Sequence, residues 1–216
     1  MRRCLPFLSI YFLAAGMFAQ QTETVDLPGL HQAEVRAVTP TGGFPSIEIR
    51  NGRGQLLLQT RFRYIRIYPD YAGGPPVTKF MELAGPTPDA KTILAASGYS
   101  MADDCHISAA VIGVRKGKVV QWTHQPDPWV YLEGGMYWGE LGNGWGYGLA
   151  KWEHAGGYRF DSRVKLTLYR YDRVRNELVK LKSMTTKEVV PFQAPNPLAE
   201  FGVNYPNLLK TLLPGC

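Results

Sequence analysis

The chain has 216 residues, 45% of them apolar and 19% charged, with three cysteines and a formal net charge of +6. This composition supports one globular domain with a core of ordinary size and excludes disordered, collagenous and low-complexity classes. Arg2 and Arg3 belong to a leader, so the remaining chain carries +6 − 2 = +4, too weak a basic excess for an expected nucleic-acid partner.

Residues 1–19 read as a secretory signal peptide. Arg2 and Arg3 precede an apolar run from Leu5 to Phe18, and Ala14, Ala15, Gly16 and Ala19 offer cleavage after Gly16 or Ala19. The run is about fourteen residues, short of the roughly twenty that span a bilayer, so cleavage is expected rather than stable membrane insertion. Cys4 lies upstream of the run, where it does not serve lipid attachment, and the arginine pair lacks the polar, extended flank of a twin-arginine signal. The expected mature protein is a single β domain over 20–216, secreted or periplasmic. Of the cysteines, Cys105 and Cys216 remain, and in an oxidising compartment they are expected to pair. That bridge would close a loop of about 110 residues, for which chain-entropy models give roughly 4 to 5 kcal/mol.

After a polar stretch from Gln20 to Gln32 the pattern is one of short β segments divided by turn clusters. Asn51-Gly52 sits between an Ile47–Ile49 strand and one beginning at Gln55. In the latter, Leu56, Leu58, Thr60, Phe62 and Tyr64 share a face before Ile65 and Ile67 shift the phase by one residue, as a β-bulge or a strand break would. Gly73–Pro76 and Gly85–Pro88 are loops. Lys116-Gly117 joins a segment from Ile107 to Arg115 to one from Lys118 to His124, and Asp172–Asn176 joins Val164–Tyr171 to Leu178–Lys182. The Ile107 segment is apolar on both faces, which predicts a central strand covered on both sides, whereas Val164, Leu166 and Leu168 alternate with Arg163, Lys165 and Thr167. Near the end Asn204 is positioned to cap a short helix striped by Leu208, Leu209, Leu212 and Leu213, which Pro214-Gly215 stops. The fold expected is all-β: an antiparallel sandwich or partly closed barrel with a short C-terminal helix.

All five tryptophans, Trp122, Trp129, Trp138, Trp145 and Trp152, fall within one stretch, joined by Tyr131, Tyr137 and Tyr147. Flat rings suit the C–H face of a pyranose, with indole N–H or phenol O–H bonding at its rim; the same rings also fill β cores. Within this stretch run Gly139-Glu140-Leu141-Gly142-Asn143-Gly144-Trp145-Gly146-Tyr147-Gly148. They resemble, over about a dozen residues, the glycine-rich turn of the FG-GAP and VCBS calcium-binding repeats of secreted β-propellers, where calcium takes six to eight oxygens. Glu140 and Asn143 are the only side-chain oxygen ligands in this run and the aspartates of those repeats are missing, so no calcium site is expected. The glycines instead suggest backbone floors for bulky rings.

A second constellation joins Asp104 and His106 to His124 and Asp127. With the turn at Lys116-Gly117, simple pairing sets Asp127 opposite His106 and residue 109 opposite His124, a cluster suited to zinc or to general acid/base work. No His-Glu-x-x-His or Gly-x-Ser-x-Gly motif accompanies it, and His31 and His154 lack a supporting acidic set. The eight basic residues from Arg159 to Lys182, against Asp161, Asp172 and Glu177, read as a solvated hairpin face or a contact for anionic lipid or an acidic polymer. The function expected is a noncatalytic extracellular binding or structural module, without a cofactor, touching a polysaccharide or another extracellular ligand through its aromatic segment. The alternative is a small secreted hydrolase or metal-dependent enzyme using His106 and His124.

Overall fold

The computed structural model describes residues 21–214 except 28, 41–42, 63–75, 88–90, 102–103, 124–126, 132–133, 156–160 and 192, with backbone alone for 99–101, 104–105 and 127–131. The leader, His124, Cys216 and the expected phase change at Ile65 lie outside these residues. Cys105 is on a strand with its backbone opposite Ser100.

The described residues are all-β and antiparallel, and form three sheets that do not close into a barrel. The first sheet is a meander of β1 (Thr22–Leu27), β2 (Leu30–Val38), β3 (Ser46–Arg50) and β4 (Leu56–Arg61). The second runs β5 (Val77–Ala84), β6 (Lys91–Met101), β7 (Asp104–Arg115) and β8 (Lys118–Gln121), with β9 (Asp127–Tyr131) also on β7. The third is β10 (Gly135–Glu140), β11 (Tyr147–His154), β12 (Val164–Asp172) and β13 (Glu177–Thr185). A 3-10 turn at Ala199–Phe201 and the helix α1 (Leu208–Leu212) complete the chain.

The three expected hairpins form. Arg115 pairs with Lys118 across the Lys116-Gly117 turn, where φ is +51° and +72° as a two-residue hairpin requires, and Asp172 pairs with Glu177. The polar stretch before Gln32 is itself strand: in β1, Val25 and Leu27 turn inward while Thr24 and Asp26 stay exposed. Among the described residues β1 pairs with β2 alone.

The sheets stack face to face. Val35, Ile47, Ile49 and Phe62 of the first layer pack on Phe80, Ile93, Ala95, Ala110 and Ile112. On the opposite side of the middle sheet Leu94, Ala96, Ile107, Ala109 and Val111 pack on Met136, Trp138 and Leu149. β7 is therefore the central, doubly covered strand that its two apolar faces predict. The outer face of the first layer carries polar pairs, Arg36 with Glu34, Arg50 with Glu48 at 2.8 Å and Gln59 with Glu48 at 3.1 Å, which end the stack in water. The outer face of the third layer is instead apolar, with Ala150, Trp152, Leu166 and Leu168, and the C-terminal segment covers it through Leu198, Phe201, Val203 and Tyr205. The helix is capped by Asn207, not Asn204, since the Asn207 side chain accepts from Leu209 N. Its leucine stripe packs into the layer between the second and third sheets, with Leu209 and Leu213 buried.

Candidate functional site

Strand alternation sorts the aromatic residues into two layers. On the face of the third sheet turned inward, Trp138 donates Nε1–H to the carbonyl of Ala84 at 2.8 Å, and Tyr147 donates its hydroxyl to the same oxygen at 2.8 Å. The Trp138 and Tyr147 rings meet edge to face with centroids 5.3 Å apart, while Trp122 stacks on Trp138 at 5.5 Å and tilts against Tyr171 at 5.3 Å. Burial pushes the Tyr147 phenol up to about 12, with smaller contributions from Tyr137 and Glu140, so it remains a donor.

On the outward face Tyr137 stacks parallel on Tyr205 at 4.7 Å, and Trp152 leans against Tyr205 at 6.4 Å. Tyr205 donates its hydroxyl to the Leu141 carbonyl, and burial first, then Tyr137, raises its phenol to about 12. Trp145, in the turn between β10 and β11, carries the Lys182 ammonium 4.1 Å above its ring. Trp129 and Tyr131 lie on β9, and their side chains are outside the described residues. Bare backbone floors some rings: within the Gly139–Gly148 run Gly139 lies under Tyr137, and outside it Gly135 lies under Trp152 and Gly113 under Trp122. Gly142, Gly144 and Gly146 serve instead as positive-φ turn residues.

Sequence reading missed the concave surface of this face. A cleft of about 560 Å³ opens between Trp152 and the C-terminal segment, walled by Pro195, Pro197, Pro206 and Tyr205. Two of its amides are committed to the fold. Asn196 accepts from Leu198 N at 3.1 Å and donates to the Val203 carbonyl at 3.2 Å; Asn207 accepts from Leu209 N and Met136 N and donates to the Gly134 carbonyl at 2.8 Å. Gln193, Asn204 and Lys210, also on the cleft, are exposed and make no side-chain hydrogen bond among the described residues. The only sequence signal was the density of proline and asparagine from Pro191 to Asn207.

The histidine constellation changes in register. β9 pairs with β7 so that Tyr131 faces His106 and Asp127 faces Ala109, with a register shift between Ile107 and Ala109. The break between β8 and β9 and this shift carry Asp127 three positions from the expected place, so simple continuation of the hairpin pairing fails. Asp104 sits on β7 opposite Met101, and His124 is outside the described residues. Among the described residues no group of three or more histidine, cysteine, aspartate or glutamate side chains stands together as for a metal.

The remaining histidines each have one acidic neighbour among the described residues. His31 Nδ1 lies 3.8 Å from Asp26 on the surface. His154 is buried, with Nδ1 3.2 Å from Ser162 Oγ, and burial lowers its pKa while Asp161 partly offsets the effect. Ser162 exchanges two backbone hydrogen bonds with Val190, at 3.2 and 2.9 Å, so this pair latches the run after β13 to the entry of β12.

The chain matches no protein-family model, and no similar curated protein or solved structure is found for it.

Proposed function

We propose that this chain is an exported, noncatalytic binding module whose cleft beside Trp152 takes a saccharide unit of an extracellular polysaccharide. The observation that carries this reading is the meeting, in one concavity of about 560 Å³, of apolar walls from Tyr205 and three prolines with the uncommitted side chains of Gln193, Asn204 and Lys210. A pyranose has the complementary character, an apolar C–H face edged by hydroxyls, and the volume lies within the roughly 300 to 1,000 Å³ usual for small-ligand sites. The rigid base matters too: Trp152 is buried over Gly135, so the cleft floor is set before any ligand arrives. Export through the leader at 1–19 and a Cys105–Cys216 bridge belong to the same proposal. The hydrolase or metal reading rests on His124 and on the side chains of Asp104 and Asp127, which lie outside the described residues.

The test titrates the mature protein with a panel of soluble polysaccharides, read by calorimetry and tryptophan fluorescence. A saturable response to one glycan, weakened in Asn204→Ala and Lys210→Ala while the urea midpoint stays unchanged, is the expected result. Equal binding by both variants, or no saturable binding to any glycan, overturns the cleft as the site. The mass of the intact protein before and after reduction reports the bridge directly.

A further inference from the structure

Two hairpin tips of the second and third sheets stand side by side. The Asn176 side chain donates to the Val114 carbonyl at 3.3 Å, and Arg115 reaches Glu177 at 3.4 Å. The Lys116-Gly117 turn and the Arg173–Arg175 turn thus form one continuous surface. Its exposed cations are Arg115, Lys116 and Lys118 from the first hairpin and Arg170, Arg173 and Arg175 from the second. The carboxylates of these two hairpins are already engaged. Asp172 accepts from the amides of Arg175 at 3.1 Å and Val174 at 2.9 Å, which in that order, with the Arg175 side chain, hold it below the usual carboxylate range, and Glu177 holds Arg115.

Between Arg173 and Arg175 stands Val174, 96% exposed. Asp172 binds the backbone on both sides of that valine's Cα, so the turn itself presents the side chain to the outside. Turn tips in water ordinarily carry Gly, Asn, Asp or Ser. An aliphatic side chain held outward among cations has an apolar layer to enter only where the anionic partner possesses one.

We propose that this end of the molecule is a peripheral docking surface for an anionic lipid bilayer, with the arginines and lysines on the headgroup phosphates and Val174 set between the headgroups. Attachment of this kind needs no spanning segment, and no helix among the described residues is long and apolar enough to cross a membrane. The surface also leaves the cleft free. Trp152 pairs with Gly135 at the far end of β10, whereas Glu140 and Tyr147 pair at the end near the tips, about 17 Å away at the usual strand rise. The inference stands on a surface separate from the cleft and does not depend on the saccharide reading.

The experiment cosediments the full mature chain with phosphatidylcholine vesicles, with and without phosphatidylglycerol, over a salt series. Binding is expected only to the phosphatidylglycerol vesicles, and to fall with salt. Lys116→Gln with Arg173→Gln is expected to weaken it about 25-fold, roughly fivefold for each cation. Val174→Ser weakens it further and Val174→Leu strengthens it, with unchanged urea midpoints because the side chain is solvated. Absence of phosphatidylglycerol-dependent binding overturns the proposal. So does binding indifferent to both Val174 variants, or tighter binding to alginate than to the vesicles, since these results assign the cations to a soluble polyanion.

Discussion

The indole of Trp122 lies directly on the backbone of Gly113: a Cβ at position 113 would stand 2.4 Å from Cζ2 of that ring. Gly113 is buried on the central strand β7, and the half-buried Trp122 is itself stacked on Trp138. Gly113→Ala is expected to lower stability by roughly 1 to 3 kcal/mol, the range of forced overpacking. Urea unfolding followed by tryptophan fluorescence measures this, and an unchanged midpoint would show that the ring shifts freely.

Asn207 joins two elements through one side chain, capping α1 at Leu209 N and tying Gly134 and Met136 at the start of β10. Asn207→Ala removes the cap and leaves the Gly134 carbonyl without this donor. A loss of about 2 to 3 kcal/mol is expected from a cap plus a stranded polar group. Asn207→Asp keeps the accepting oxygen and should recover the cap share alone, which a chemical-denaturation comparison of the two variants resolves.

The buried His154 predicts a pH dependence whose sign follows from its depressed pKa. The fold keeps the imidazole neutral, so the unfolded chain binds the proton more readily. Stability is complete above the ordinary histidine value of 6.5 and declines as pH falls below it toward the lower folded value. In His154→Gln the slope of melting temperature against pH below 6.5 is expected to be shallower than in the wild type. Equal slopes would assign the dependence to other groups.

At the alkaline end Tyr147 and Tyr205, both raised from 10.0 to about 12, act in the opposite direction. The folded state holds these protons more tightly than the unfolded chain does. Their contribution is present below pH 10 and is lost as pH rises from there toward 12. Ultraviolet difference absorbance of tyrosinate should show a late-titrating class that merges with alkaline unfolding. Tyr147→Phe and Tyr205→Phe should each remove part of that class.

Much of the local architecture was legible because its causes are local. The residues of Asn51-Gly52, Lys116-Gly117 and Asp172–Asn176 carry turn chemistry that fixes where hairpins reverse, and the two apolar faces of Ile107–Arg115 announce a strand with layers on both sides. The split of Tyr137 and Trp138 to opposite faces follows from the same period of two, although clustering in sequence suggests one surface. By contrast, Thr22–Leu27 hid its strand character behind polar residues, because an edge strand needs few inward side chains.

What the sequence by itself determined was the β class, the turn positions and the central place of β7, all encoded by neighbours one to four residues apart. Tertiary structure alone decided that Asp127 faces Ala109, that Pro195, Tyr205 and Lys210 wall a cleft against Trp152, and that Val114 and Asn176 bring two basic hairpin tips together. Each of these joins residues that are distant in the chain or separated by a register shift. Such pairings depend on how layers stack and how loops close, and no periodicity within a single segment records them.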